Sequence, residues 1–289
     1  PGWRHLPVHG DLAAALAQRH QAVIVAGPTA LHLPVALQAA RAGCHLLIEK
    51  PLGHSLDGVA ELRAEVERRR LRVLVGYQLR LHPTLRRVRD WIAAGAIGQV
   101  VSAEAHWGEA LPDWHPGEDY RRGYSARREL GGGAVLTLSH PLDYLRFLLG
   151  DVVCVTAETA QLSGLELDVE DVAHLTLRFA SGVLASVHVD YVERPAAHWL
   201  RVVGRHGVIL WNGVDGVAEL HRALAPRPES VAPPPGFTRA SLFLDEMRHF
   251  LDCLAGDAPP ACSLADGVAA LEIALAALRS AAERRTVDL

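Results

Sequence analysis

The chain has 289 residues, 49% of them hydrophobic, and sets 29 Lys and Arg against 33 Asp and Glu. So apolar and nearly neutral a chain is not disordered, and its length holds one large domain or two modest ones. A net charge of −4 opposes a nucleic-acid binder with a dominating basic face.

In chain order, Asp11–Gln18 reads as a short helix leading into the first strand. Ala22–Ala26 is a continuous apolar run, as a strand buried on both faces should be. Gly27-Pro28-Thr29 breaks it, and Ala30–Ala42 follows as a helix ended by Gly43. Cys44–Ile48 is a second strand, and Ser55–Arg70 a helix with Ser55 placed to cap it. Arg72–Val75 is a third strand, with a helix from Pro83 to Ala94 behind it. Strand alternating with helix predicts βαβ units and a parallel sheet.

After Gly98 the period becomes 2. Val101, Ala103, Ala105 and Trp107 alternate with Ser102, Glu104 and His106. Ala173, Leu175, Leu177 and Phe179 alternate with His174, Thr176 and Arg178, and Val183–Tyr191 does the same. This predicts a mostly antiparallel sheet with one solvated or partner-covered face. Asp151–Leu162 and His198–Trp211 add strands, and the glycine run Gly131–Gly133 opens one helix to Leu149. Pro226–Pro235 is a loop. Two helices close the chain, one carrying Phe243, Met247, Phe250 and Leu254, the other capped by Ser263-x-x-Asp266. The expected boundary falls near residue 100, between a parallel-sheet α/β unit and a unit with a large, mostly antiparallel sheet.

No run approaches the ~18 uninterrupted apolar residues of a membrane span, so neither nucleic acid nor membrane is an expected partner. The cysteines, Cys44, Cys154, Cys253 and Cys262, are scattered without a CxxC pair. They suit reduced thiols in a cytoplasmic protein, and no metal site is expected from them. The chain begins at Pro1, which reads as a processed, trimmed or incomplete start.

In an open parallel sheet, ligands bind beyond the carboxyl ends of the strands. There stand Gly27-Pro28-Thr29, Glu49-Lys50-Pro51 and Gly76-Tyr77-Gln78. Lys50 is the one lysine of the chain, and the bond to Pro51, a candidate for the cis form, would fix its direction. The plain alternative is a Glu49–Lys50 surface ion pair. Behind the glycine run, His140 and Asp143 share a helix face, and an imidazole beside a carboxylate suits a general base. The plain alternative there is a structural pair. The segment Leu111–Leu130 gathers Trp114, His115, Tyr120, Tyr124, Arg121, Arg122, Arg127 and Arg128. Aromatics with arginines suit a sugar beside a phosphate or carboxylate, and a solvated loop or dimer contact equally.

Together, Pro28-Thr29 with Leu31-His32, then Glu49-Lys50-Pro51, then the Gly-Gly-Gly helix with His140-x-x-Asp143, resemble the Gfo/Idh/MocA oxidoreductases. The likeness runs in order to Thr286-Val287-Asp288-Leu289, and it implies that residues 1–100 are the remainder of a dinucleotide-binding Rossmann domain and 101–289 an α+β domain with a large open sheet for substrate binding and oligomerisation. It implies hydride transfer between NAD or NADP and a hydroxyl or ketone of a sugar, nucleotide sugar or cyclitol, with homodimers or homotetramers built through the open sheet. The block Pro112–Asp143 looks most like members of surface-polysaccharide pathways. Carried over by position, Lys50, His140 and Asp143 are catalytic, with Lys50 also at the cofactor. Pro28, Thr29, His32, Glu49 and Gln78 line the cofactor, and Tyr77, Arg80, Trp107, Tyr120, Tyr124 and Arg127 face the substrate. The sequence departs from the family in two places. It has no GxGxxG phosphate loop, so it is expected to enter after the family's first βαβ unit. Thr137 stands where many members carry an Asp. The alternatives are an NAD-dependent glycoside hydrolase of the same fold and a non-catalytic sensor or scaffold.

Overall fold

Three short apolar strands, β1 (Ala22–Val25), β2 (His45–Ile48) and β3 (Val73–Val75), form a parallel sheet in the order β1-β2-β3, with Ile24 opposite Leu47 and Leu47 opposite Leu74. The computed structural model that shows this describes residues 6–289, so the Pro1 start lies outside the described residues. The short α1 (Leu12–Leu16), capped by Asp11, precedes β1. Helix α2 (His32–Arg41) packs on the sheet and α3 (Val59–Arg69) on α2. β3 is buried throughout, whereas Ile24 of β1 is 51% exposed, because β1 is an edge of this sheet among the described residues. Helix α3 starts four residues later than its cap signal suggests. Ser55 Oγ accepts the Asp57 N–H, and the chain enters the helix through Gly58 at φ 84°.

Helix α4 (Pro83–Ala93) leads to β4 (Val100–Gly108) and the second sheet. Its other members are β5 (Val152–Ala160), β6 (Val172–Phe179), β7 (Leu184–Asp190), β8 (Ala197–Gly204), β9 (Gly207–Asn212), β10 (Ala218–Arg222), β11 (Glu229–Val231) and the closing β12 (Val287–Asp288). The nine strands run β11-β10-β9-β8-β4-β7-β6-β5-β12, with β4–β7 the one parallel pair. A bulge between Val100 and Ser102 precedes the regular alternation of β4. One face is the core: Ala103, Ala105, Leu175, Leu177 and Val187 are buried, while Glu104, His174, Thr176, Ser186 and His188 look out of the other.

Helices α5 (Ala134–Thr137), α6 (His140–Leu149), α7 (Arg239–Ala255) and α8 (Leu264–Glu283) cover that core and reach the parallel sheet. α8 lies close because its buried stripe is small: Ala270, Ala274 and Ala277 are fully enclosed, and a Cβ on Gly267 would strike Val75. The Ser263–Asp266 capping box is made at both bonds. α7 departs from its sequence reading. Its buried stripe is Leu242, Glu246, Phe250 and Cys253, with Phe243 left 42% exposed. A carboxylate thus occupies a core position that hydrophobic periodicity assigns to an apolar residue.

Candidate active site

The Lys50–Pro51 bond is cis, and Lys50 does not pair with Glu49. The Glu49 carboxylate accepts the Lys50 backbone N–H at 3.2 Å, while the Lys50 ammonium donates to the Thr137 carbonyl at 2.6 Å. That carbonyl is free for a local reason. Pro141 lacks the N–H that would otherwise bond it along the helix. The stretch therefore splits: α5 stops at Thr137, Leu138 turns to φ −95°, ψ 37°, and α6 restarts at His140 with Pro141 in its first turn. The sequence reads as one helix from the glycine run to Leu149. The break brings the carbonyl to Lys50 and leaves His140 at a helix start facing the cleft.

His140 is 2% exposed, and neither ring nitrogen has a hydrogen-bond partner among the described residues; Nδ1 is fully enclosed. Trp107 stacks on its ring at 5.3 Å, and Tyr77 meets it edge-on at 5.4 Å. Burial, then the neighbouring Lys50, His198 and Arg239, hold its pKa well below the usual histidine range. The imidazole is neutral, with a lone pair to offer.

Asp143 does not assist it. Its carboxylate is taken by Arg80, with Nε at 3.0 Å from both oxygens and a further nitrogen at 2.7 Å. A permanently charged guanidinium outcompetes a neutral imidazole for a buried carboxylate. Arg80, bonded also to the Ala261 carbonyl and paired with Asp266, is 4% exposed and is not a substrate ligand. Tyr77 is likewise withdrawn: its hydroxyl donates to Ser139 Oγ at 3.1 Å, bracing the turn before His140.

Two adjoining hollows share Gln78, Trp107, Glu109, His140 and Arg239. On one side Glu49, Lys50, Thr137, Trp114, His115 and Tyr124 complete the wall. On the other stand His82, His198, Gly216 and Phe237. Burial drives His82 down to about 4 and His198 to about 3, so both imidazoles of this second wall are uncharged at neutral pH. Of the residues singled out by sequence, Lys50, His140, Glu49, Gln78, Trp107 and Tyr124 therefore meet in one cleft.

The others have different tasks. His32 is buried, with Nδ1 at 2.8 Å from the Pro51 carbonyl and Nε2 at 2.9 Å from that of Gly27; it clamps two strand-end loops and has no nitrogen left for a cofactor. Thr29 packs beneath Gly131, and Pro28 sits half-buried on the rim. The glycine run approaches the protein itself rather than a ligand: a Cβ on Gly132 would strike the Tyr124 and Ser125 carbonyls, and Gly133 at φ 107° would strike Glu170. Tyr120 accepts the Glu166 N–H at 3.2 Å, and Arg127 is an exposed partner of Glu129. Arg121 is held by Asp119 and Glu166, and Arg128 by the Asp168 carbonyl. Three of the four expected arginines, Arg121, Arg127 and Arg128, are thus tied to local acids or a carbonyl. Sequence reasoning passed over Glu109, His198 and Arg239. The one signal for Arg239 is the Thr238 capping box, which sets it in the first turn of α7 at the cleft.

The unpartnered His140 beside Lys50, Glu49 and Gln78 fits the nicotinamide end of a dinucleotide: a flat ring, a carboxamide and a reacting oxygen all find partners there. Among the described residues there is no glycine-rich phosphate loop, so the fit is to that end of the cofactor.

Residues 85–210 match the GFO/IDH/MocA C-terminal domain, and residues 3–77 match the oxidoreductase family with an NAD-binding Rossmann fold. The 1,5-anhydro-D-fructose reductase of Ensifer adhaerens is 30% identical over 278 residues, covering 93% of this chain and 79% of its own. The D-apiose dehydrogenase of Paraburkholderia graminis is 29% identical over 296 residues, covering 98% and 76%. Among solved structures, levoglucosan dehydrogenase in complex with NADH and levoglucosan superposes with a TM-score of 0.88 at 22% identity, over 97% of this chain and 84% of that one, a likeness of fold.

Proposed function

The chain belongs to the Gfo/Idh/MocA oxidoreductase family, and from that premise we propose that it is a nicotinamide-dependent dehydrogenase or reductase acting on a hydroxyl or carbonyl carbon of a sugar or cyclitol. The observation that carries the reading is the meeting, in one cleft, of the Lys50 ammonium and a buried, neutral, unpartnered His140 imidazole. NAD or NADP supplies the hydride chemistry when bound. His140 takes the hydroxyl proton in the oxidative direction and returns it in the reductive one. Lys50, with one of its three N–H groups fixed on Thr137, turns the others to the reacting oxygen and stabilises the charge that develops there. Trp107 and Tyr124 offer flat apolar surfaces to a sugar ring. Because none of the arginines of 121–128 lines the cleft, and Arg121, Arg127 and Arg128 are tied to local acids or a carbonyl, an uncharged sugar suits the cleft better than a nucleotide sugar. The sugar-converting relatives named above support that class.

The test is the appearance or loss of reduced-nicotinamide absorbance with NAD and NADP across a panel of sugars, anhydrosugars and cyclitols. Turnover that collapses in Lys50→Ala is the expected result, and no turnover with any pair would overturn the reading. Four free cysteines support our reading that the protein works in a reducing cytoplasm. The open face of the nine-stranded sheet, where Leu184 is 44% and Trp199 38% exposed, is our candidate contact between copies. Light scattering should return a dimer or tetramer that Leu184→Glu dissociates; a monomeric wild type would refute it.

A further inference from the structure

Across the outer face of the nine-stranded sheet runs a row in cross-strand register: Trp199, His106, His188, His174, Glu158. Its centre holds more ligand chemistry than a solvated face requires. His106 Nε2 lies 2.5 Å from Glu193 Oε2, and His188 Nε2 lies 2.8 Å from Asp190 Oδ2. Ligand atoms of His106, His188 and Asp190 all stand within 4.8 Å of one another. The His106 ring is held between Trp199, stacked at 5.3 Å, and His188, stacked at 4.6 Å. Asp190 is 5% exposed, and its Oδ1 accepts the N–H groups of Val192 and Glu193, each at 2.8 Å, which aims Oδ2 at the histidines. Gly108 clears the room: a Cβ there would strike both the Asp190 and Glu193 carboxylates.

We propose that His106, His188 and Asp190, closed by Glu193, bind a divalent transition metal of the zinc class, on the sheet face opposite the catalytic cleft. Two imidazoles with two carboxylates form a mixed nitrogen–oxygen set that suits zinc and its neighbours rather than the all-oxygen shells of calcium or magnesium. His174 lies 3.0 Å from His188 Nδ1; by accepting the Nδ1 proton it fixes the tautomer that presents Nε2 to a metal. A bound ion would tie the ends of β4 and β7 to the connection entering β8. Ala196 and Ala197, just beyond Glu193, line the cleft, so the ion would also brace one of its walls. The ligands come from two strands and a loop at positions 106, 188, 190 and 193, a spacing that no local motif reveals.

The test uses the untagged full chain, stripped by chelator and titrated with Zn²⁺ and, for its visible spectrum, Co²⁺. Expected is one metal per chain with affinity on the order of micromolar or tighter, a ligand-field spectrum of mixed nitrogen–oxygen coordination, and a rise in Tm. His106→Ala and His188→Ala should each weaken binding more than about tenfold, and His174→Ala about tenfold. Asp190→Asn keeps the Oδ1 acceptor and hence the turn, so its loss of binding is read on a folded chain. His221→Ala, in the exposed His221–Glu219 pair, should change nothing. Absence of binding at micromolar metal, or equal binding by the His106→Ala/His188→Ala double variant, overturns the proposal. Metal content is read without turnover, so this outcome is independent of the substrate reading.

Discussion

Lys50 and His140 show how differently one low-dielectric cleft treats two bases. The Lys50 side chain finds a carbonyl to donate to, whereas the imidazole finds no partner and stays neutral. A general base that must be neutral works down to its own pKa, and here that lies well below 6.5. The acid limb of kcat/KM should therefore fall below pH 6.5, with activity lost only as pH drops through the depressed value; a limb at or above 6.5 contradicts the assignment. His140→Asn should lower kcat about 10²–10⁴-fold with little change in KM. In the sequence Lys50 stands out as the one lysine, at a strand end before a proline, and His140 by its place behind the glycine run, three residues before Asp143. Asp143 was misread because helix spacing reports neighbours on one helix and says nothing of Arg80, which arrives from another segment. The buried Arg80–Asp143 pair gives the correction a test. Asp143→Ala should cost about 3–5 kcal/mol of stability by stranding the guanidinium, and Arg80→Met/Asp143→Leu should recover most of it. Urea denaturation of the wild type and the two variants measures this, while kcat per folded molecule stays near wild type in the double variant.

At the level of elements, the break between α5 and α6 does what neither helix could do whole. Pro141 withholds one hydrogen bond, and Lys50 from the parallel sheet takes the acceptor so released. Pro141→Ala restores an N–H that competes for the Thr137 carbonyl. We expect kcat to fall about tenfold while Tm moves by only a few degrees, as the helix gains roughly what the lysine loses. Unchanged turnover would show that the tether does not aim Lys50. The sequence pattern gave the strands with fidelity, since period 2 and the buried face are one physical fact. It missed the helix break because Pro at a first turn and Pro within a helix look alike until the restart is seen. It missed β10 and the edge strand β11, short strands whose composition is largely polar.

For the molecule as a whole, Glu246 makes stability depend on pH. Burial, with Glu49 nearby, raises its pKa from 4.5 to about 8. The folded state thus holds a proton that the unfolded chain releases near 4.5. Stability should fall as pH rises from about 4.5 to about 8 and level off above, by at most about 1.4 kcal/mol per pH unit from this group. Glu246→Gln should flatten that slope and gain over wild type toward pH 8; parallel unfolding curves for the two at both ends of the range would refute it. Another global property rests on the bulge at Val100–Ser102. Adjacent residues of β4 serve opposite sides of the sheet, Trp107 the cleft and His106 the outer cluster. Which serves which is a matter of odd and even counting along the strand, and the bulge is where the count can be reset without harm. One residue added before it is absorbed in slack. One added between Ala103 and Ala105 would exchange the two, sending an imidazole into the cleft and an indole out among the histidines, and disabling both faces with a single codon.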